Sequence, residues 1–183
     1  MKKTLIASLV IATSALVSFP SLATPSGSII VDGAITASTC DVALDNDKSG
    51  NGTVSLPKLS TRNLAKAGDT AGGTSFVIKL TNCTPATGGV RAWFETGAAV
   101  DAVTGRLINT NTTAEGAENV DVQLLNDKED VLQAGSSSQR THAATDLVGG
   151  AANLVYKMRY YAVTDDVKPG KVDTKVTYSI DYD

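Results

Sequence analysis

The feature that most limits the folds open to this chain is a strict two-residue alternation near its end. Val172, Thr174, Val176, Tyr178, Ile180 and Tyr182 fall on one face, and Asp173, Lys175, Thr177, Ser179 and Asp181 on the other. A period of two marks a strand with one face buried, because successive side chains leave a pleated backbone on opposite sides. The same period recurs upstream. Phe76, Ile78 and Leu80 alternate with Val77, Lys79 and Thr81, and Val90, Ala92 and Phe94 with Arg91, Trp93 and Glu95. Val120, Val122 and Leu124 are opposed by Asp121, Gln123 and Leu125; Leu154, Tyr156, Met158 and Tyr160 by Val155, Lys157, Arg159 and Tyr161. No window of about 11 residues carries convincing helical spacing, and residues 59–66 offer one or two turns at most. Glycine, asparagine and aspartate punctuate the strands at 45–52, 72–73, 88–89, 109–119, 135–138, 149–150 and 169–170. Short alternating strands with such turns predict an all-β sandwich forming one domain.

The first residues read as an address. Lys2 and Lys3 precede an apolar run over 5–17, and Ser21-Leu22-Ala23 sets small residues at the positions signal peptidase reads. A membrane span needs roughly 20 apolar residues, so the run is too short for a stable anchor. Residues 1–23 are therefore expected to be a signal peptide. Without Lys2 and Lys3, the rest of the 16 Lys and Arg are outnumbered by 19 Asp and Glu, and no basic run remains. Nucleic acid and anionic lipid are poor partners for such a chain. Cys40 and Cys83 are the only cysteines. In an exported chain they are expected to form one disulfide, stabilising the fold by about 4 kcal/mol in the chain-entropy model. With no further cysteine and only a distant His142, neither a metal nor a cofactor is expected.

Several stretches carry a sharper reading beside a plain one. Asp45-x-Asp47-x-Ser49-Gly50 opens like a calcium loop, but the place of the closing glutamate, about twelve positions in, is held by Leu56. A solvated turn is the better reading. Asn51-Gly52-Thr53, Asn82-Cys83-Thr84 and Asn111-Thr112-Thr113 match the glycosylation acceptor pattern. His142 lies in a polar Gln-Arg-Thr-His stretch, and no Gly-x-Ser-x-Gly elbow accompanies it. The acid pairs Glu129-Asp130 and Asp165-Asp166 sit beside turns. An enzyme is not expected. Residues 28–36 read Ser-Ile-Ile-Val-Asp-Gly-Ala-Ile-Thr, with Ile29, Val31, Gly33 and Ile35 on one face. On alternation alone this is an ordinary first strand whose glycine marks a bulge or a close approach.

Taken in order along the chain, these pieces resemble a known family. A short apolar segment carries Gly33 ahead of Cys40, and a glycine-rich turn leads into Phe76-x-Ile78-x-Leu80-x-x-Cys83. A late strand reads Tyr156-x-Met158-Arg159-Tyr160-Tyr161-Ala162-Val163-Thr164, and Pro169-Gly170 feeds a last strand with tyrosine at the penultimate position, Tyr182. Together they resemble the pilin subunits of chaperone–usher (type 1-like) fimbriae over essentially the whole mature chain. Asp183 departs from the usual ending by placing a second acid beside the terminal carboxylate.

The resemblance implies an incomplete immunoglobulin-like β-sandwich lacking its last strand and completed in trans by a donor strand. On that reading residues 24–36 form an N-terminal donor-strand extension, with Ile29, Val31, Gly33 and Ile35 facing inward, and residues 37–183 form the pilin domain. Val172, Val176, Tyr178, Ile180 and Tyr182 then line the acceptor groove. The implied partners are neighbouring pilin subunits, a periplasmic chaperone and an outer-membrane usher. The implied role is that of a structural subunit of a surface fimbrium supporting cell adhesion, exported through the periplasm. A minor adaptor or tip-proximal subunit would have a domain of the same size. A carbohydrate-binding adhesin would need a receptor domain for which there is no room.

The cysteine pair gives the first test. Intact mass of the exported protein, alkylated with and without prior reduction, is expected to show both cysteines blocked until reduced. Replacing either with alanine is expected to lower the yield of exported protein.

Overall fold

The computed structural model describes residues 39–45 and 47–183. The leader 1–23 and the segment 24–36, with Ile29, Val31, Gly33 and Ile35, lie outside the described residues. In chain order the strands are β1 (Thr39–Leu44), β2 (Thr70–Thr84), β3 (Gly89–Phe94), β4 (Leu107–Ile108), β5 (Val120–Leu125), β6 (Val131–Leu132), β7 (Thr145–Asp146), β8 (Ala152–Ala162) and β9 (Tyr178–Tyr182). One sheet runs β1-β2-β8-β5-β4, with β6 also paired to β5; the other runs β7-β3-β9. Every strand pair is antiparallel. Cys40 of β1 and Cys83 of β2 are joined by a disulfide, with their Cα atoms 4.1 Å apart.

The alternation in the sequence explains which face of each strand is buried. Phe76, Ile78 and Leu80 of β2, Val90, Ala92 and Phe94 of β3, Val122 and Leu124 of β5, and Leu154 and Tyr156 of β8 form the core between the sheets. Tyr156 bridges the layers, meeting Phe94 of the other sheet edge-on at 5.1 Å between centroids, and packs beside Phe76 of the neighbouring strand at 5.9 Å. Such pairs contribute beyond the area they bury.

The outer edge of β3 is covered with care. β7 pairs only with Gly89 and Val90. Beyond it, the Ala92 N–H donates to the Tyr156 hydroxyl at 2.8 Å. The Phe94 N–H donates to Gln139 Oε1, and Gln139 Nε2 donates back to the Phe94 carbonyl, both at 3.0 Å. One side-chain amide, 3% exposed, thus stands in for a residue of a missing strand.

Residues 59–66 hold a 3-10 turn, Thr61–Leu64, capped by Ser60, within the one or two turns expected there. Three differences from the sequence expectations have physical causes. β4, β6 and β7 are two-residue strands that show no alternation to read. Leu125, expected to face outward, is buried, as are Asp121 and Gln123 on the same face of β5. There Arg106 Nε donates to Asp121 at 2.9 Å and lies over the Tyr161 ring, while Arg159 Nε donates to Gln123 at 2.9 Å. The last strand begins at Tyr178, not Val172, because its partner β3 ends at Phe94, directly opposite Tyr178.

Gln139→Ala would leave the Phe94 N–H and one carbonyl contact without their side-chain partner in a buried setting. A buried donor left unpaired costs about 1–3 kcal/mol. The variant is expected to fold with a denaturant midpoint lowered by a corresponding amount, and Gln139→Leu to fare no better.

Candidate functional site: a cleft between two unpaired walls

β9 pairs with β3 along one edge, and its other edge carries no strand among the described residues. The residues leading into it are anchored at two points, one beside β4 of the larger sheet and one at the end of β3. The Asp173 carbonyl accepts from the Thr110 N–H at 2.7 Å and the Thr177 carbonyl from the Glu95 N–H at 2.9 Å. Between them, Thr174, Lys175 and Val176 make no main-chain hydrogen bond among the described residues. Facing this stretch is a second one of the same kind. Residues 52–57 belong to no helix or strand and likewise make none among the described residues. Val54 and Leu56 turn inward there, packed against the core.

Between these two walls lies a cleft of about 1040 Å³, with Phe76, Phe94, Met158 and Tyr160 among the residues beneath it. Val172, Val176, Tyr178 and Ile180 line it, whereas Tyr182 packs against the core beyond it. Thr174 also lines the cleft, and its Oγ1 is enclosed without a hydrogen-bond partner. The Tyr178 hydroxyl donates to the Gly50 carbonyl at 2.7 Å and ties the two walls together at one end. Burial raises the pKa of the Tyr178 and Tyr160 phenols, so both stay neutral and able to donate at ordinary pH. At Gly52 a Cβ would meet Leu44 Cδ2 at 2.7 Å, so a side chain there would displace the end of the Leu44 side chain against which this wall sits.

Charge holds the far end of β9 in place. The buried Arg91 guanidinium of β3 pairs with Asp183, approaches Asp181 at 3.6 Å, and donates to the carbonyls of Arg140 and His142 at 3.1 and 2.8 Å. Arg140 grips Asp181 with two nitrogens, at 2.9 and 3.2 Å, which raises the Arg140 pKa, and stacks over Trp93. Asp183, the unusual last residue, is thus held within the chain by Arg91.

The remaining candidates are employed in turns and surface pairs. Asp45 Oδ1 accepts from the Val77 N–H at 3.0 Å and Asp47 Oδ1 from the Ser49 N–H at 2.8 Å, the latter bond lowering the Asp47 pKa. Among the described residues no three His, Cys, Asp or Glu side chains gather as metal ligands. His142 Nδ1 lies 3.6 Å from Asp130, and Glu129 pairs with Lys157 at the surface. Sequence reasoning missed the wall at 52–57. Its only signal is the brief alternation of Val54 and Leu56 with Thr53 and Ser55, cut short at Pro57.

The family model described as FimA, type-1 fimbrial protein, A, matches residues 56–183. The major fimbrial subunit SMF-1 of Stenotrophomonas maltophilia (strain K279a) is 40% identical over 161 residues, covering 85% of this chain and 92% of that protein. The F17 fimbrial protein of Escherichia coli is 38% identical over 162 residues, covering 85% and 87%. Among solved structures, the P pilus rod subunit PapA superposes with a TM-score of 0.57 at 19% identity, covering 79% of this chain and 99% of that one. A subunit from the structure of a chaperone–usher pilus also gives 0.57 at 19% identity, covering 90% and 99%. These likenesses place the two-sheet sandwich among the immunoglobulin-like folds. With the family model spanning most of the cleft-bearing body, and relatives at 38% and 40% identity aligned along most of their own length, the chain belongs to the type-1 fimbrial protein family.

Proposed function

We propose that this chain is a structural fimbrial subunit that polymerises by donating residues 24–36 into the cleft of a neighbouring copy. The observation that carries this reading is the pair of facing walls, 52–57 and 174–176, whose main-chain groups lack partners among the described residues over an apolar floor. An extended segment entering between them would supply N–H and C=O groups to both walls and side chains to the space beneath. Residues 24–36 suit that role. Ile29, Val31 and Ile35 are apolar and share one face with Gly33, and no proline interrupts 26–36. Burying three such side chains is worth about 5–9 kcal/mol gross, before the cost of ordering the segment.

A subunit with an open cleft needs a temporary occupant before assembly, because an unpaired edge over apolar surface templates aggregation. A periplasmic chaperone fills that role and an outer-membrane usher is the site of exchange, with residues 1–23 directing export. The finished polymer is a fimbrium at the cell surface. Relatives named as a major fimbrial subunit and a rod subunit support the shaft over an adaptor. The subunit performs no catalysis on this reading.

Two experiments test it. Appending residues 24–36 behind Asp183 through a flexible linker should yield a monomer that needs no chaperone and melts far above the chaperone-released chain, since tethering raises the effective concentration of the strand. A fusion as unstable as the unmodified chain would refute donation. Ile180→Asp should abolish stable chaperone complexes, because a carboxylate would be buried against the cleft floor. Co-purification at the normal yield would place the binding surface elsewhere.

A further inference from the structure

A donated segment brings a whole body with it on a short leash. Ile35 ends its apolar row, and the body begins at Thr39. Those four steps span at most about 14 Å when extended. The donating copy must therefore lie against the end of the cleft by which its segment leaves. The bond from Tyr178 to the Gly50 carbonyl closes one end. At the other, Tyr160 and Val172 line both the cleft and a second hollow of about 440 Å³. The buried Leu64 and Val120 form its floor. Lys58, Lys168 and Lys171 stand around it, and Asp173 is the one acid among its lining residues. Lys168 and Lys171 pair with Asp166 and Glu115, whereas Lys58 has no ion-pair partner among the described residues.

The far end of the same body carries features that match. β2 joins the two ends: Ala71, near its start, packs against the hollow's floor, and Thr84, at its finish, pairs with Thr39. Beside that pair the Cys83 N–H donates to the Gly150 carbonyl at 3.0 Å. Gly150 lies in a tight turn, 148–151, closed by main-chain bonds of 2.9 and 3.2 Å in both directions. Its two central glycines have φ of +59° and +74°, which suits such a turn. The turn holds Val148 outward, 78% exposed. It sits about two strand spacings, roughly 10 Å, from the point where the segment leaves the body. A single exposed valine is ordinary, so its place at the root of the segment is what matters. Asp41 and Asp146 are exposed at this end, and residues 81–89 and 144–152 contain no lysine or arginine.

Resting on the proposed donor role, we propose that the hollow seats the base of the donating copy. Val148 of that copy enters it, and Asp41 and Asp146 of that copy face its lysines. The contact joins opposite ends of the body, so it repeats at every step of a fibre. Exposed charges of this kind orient the approach more than they hold it, and the valine supplies the apolar anchor. Without this second contact two copies would be joined only through residues 36–38 and would swivel there. With it, the angle of each joint is fixed.

The test uses fibres assembled from full-length chains. Val148→Cys combined with Leu59→Cys at the hollow, treated with a short bis-thiol reagent, is expected to give a ladder on denaturing gels. Val148→Cys combined with Val103→Cys is expected to give none, since Val103, 88% exposed, does not line the hollow. Normal fibres without a 148/59 ladder overturn the contact and leave donation intact, as does a 148/103 ladder of equal strength. A ladder from Ala37→Cys with Leu59→Cys in place of the 148/59 ladder gives the hollow to the extension itself and also overturns the contact. If the 148/59 variant does not assemble, the two substitutions are carried on separate chains mixed with the unmodified chain, and a cross-linked dimer is read instead. Val148→Asp is expected to lower the denaturant concentration at which fibres come apart. It is expected to leave unchanged the melting of the fusion that carries residues 24–36 behind Asp183, where the cleft is filled without a second copy. Val103→Asp fibres are expected to match the unmodified ones. Equal losses in fibre and fusion, or no loss in the fibre, overturn the contact. Instability of the fusion before any substitution refutes donation instead, so the two failures are told apart.

Discussion

The rest of the molecule depends on one constraint: main-chain amides and carbonyls over a dry surface need partners. Along the strands they are supplied by ladders, in the turns by further main-chain bonds, and on the outer edge of β3 by side chains. Gln139 closes both main-chain groups of Phe94, and the Tyr156 hydroxyl receives the Ala92 N–H. The contrast with the other side of the same sheet is what gives the cleft its meaning. There, 52–57 and 174–176 face one another with no such substitutes among the described residues. The two opposite edges of one sheet receive different treatment, so poor packing in general does not explain the open one.

An open wall must still be held at a fixed distance from its neighbour if it is to accept anything specific. The end of β9 is fastened by its ladder to β3 and by Arg91 and Arg140 acting on Asp181 and Asp183. Asp173 is held by the N–H of Thr110 and the side chains of Asn109 and Asn111. The opposing wall is set by the turn after β1 and by the close seat of Gly52 on Leu44. β1 in turn is bonded to β2 through Cys40 and Cys83. The bond between Tyr178 and Gly50 then sets the separation of the walls directly. Rigid supports at both ends with free amides between them describe a surface organised in advance, which lowers the ordering cost of any strand that enters.

Much of this was legible in the sequence because the long strands carry their own period. β2, β3, β5, β8 and β9 each show the alternation, and Phe76, Val90, Val122 and Leu154 point inward as it requires. What could not be read depends on contacts between segments distant in sequence. β4, β6 and β7 are too short to show a period, and exist because a longer strand offers them an edge. Gln139 looks like one polar residue in a polar loop; its role is defined by Phe94, far away in the chain. Leu125 breaks the inside–outside rule because Arg106, Tyr161 and Arg159 build a second covered layer on the outer face of β5. The cleft itself was half legible. The wall at 172–180 alternates plainly, while Val54 and Leu56 give only one repeat before Pro57.

The geometry also bears on why the proposed association would grow instead of closing. A cleft on one surface, filled by a segment from a different part of another copy, is a heterologous contact, and such contacts propagate unless rotation returns the chain of copies to its start. Each added copy would cover one open cleft and present another, so the hazard of an exposed edge moves to the growing end and never accumulates along the fibre. The strength of each joint would come from two sources that fail differently. Apolar burial over Phe76, Met158 and Tyr160 is non-directional and tolerates slippage, whereas the main-chain ladders on both walls lock in steps of two residues. A row of uniformly apolar side chains would therefore hold a strand tightly without saying where.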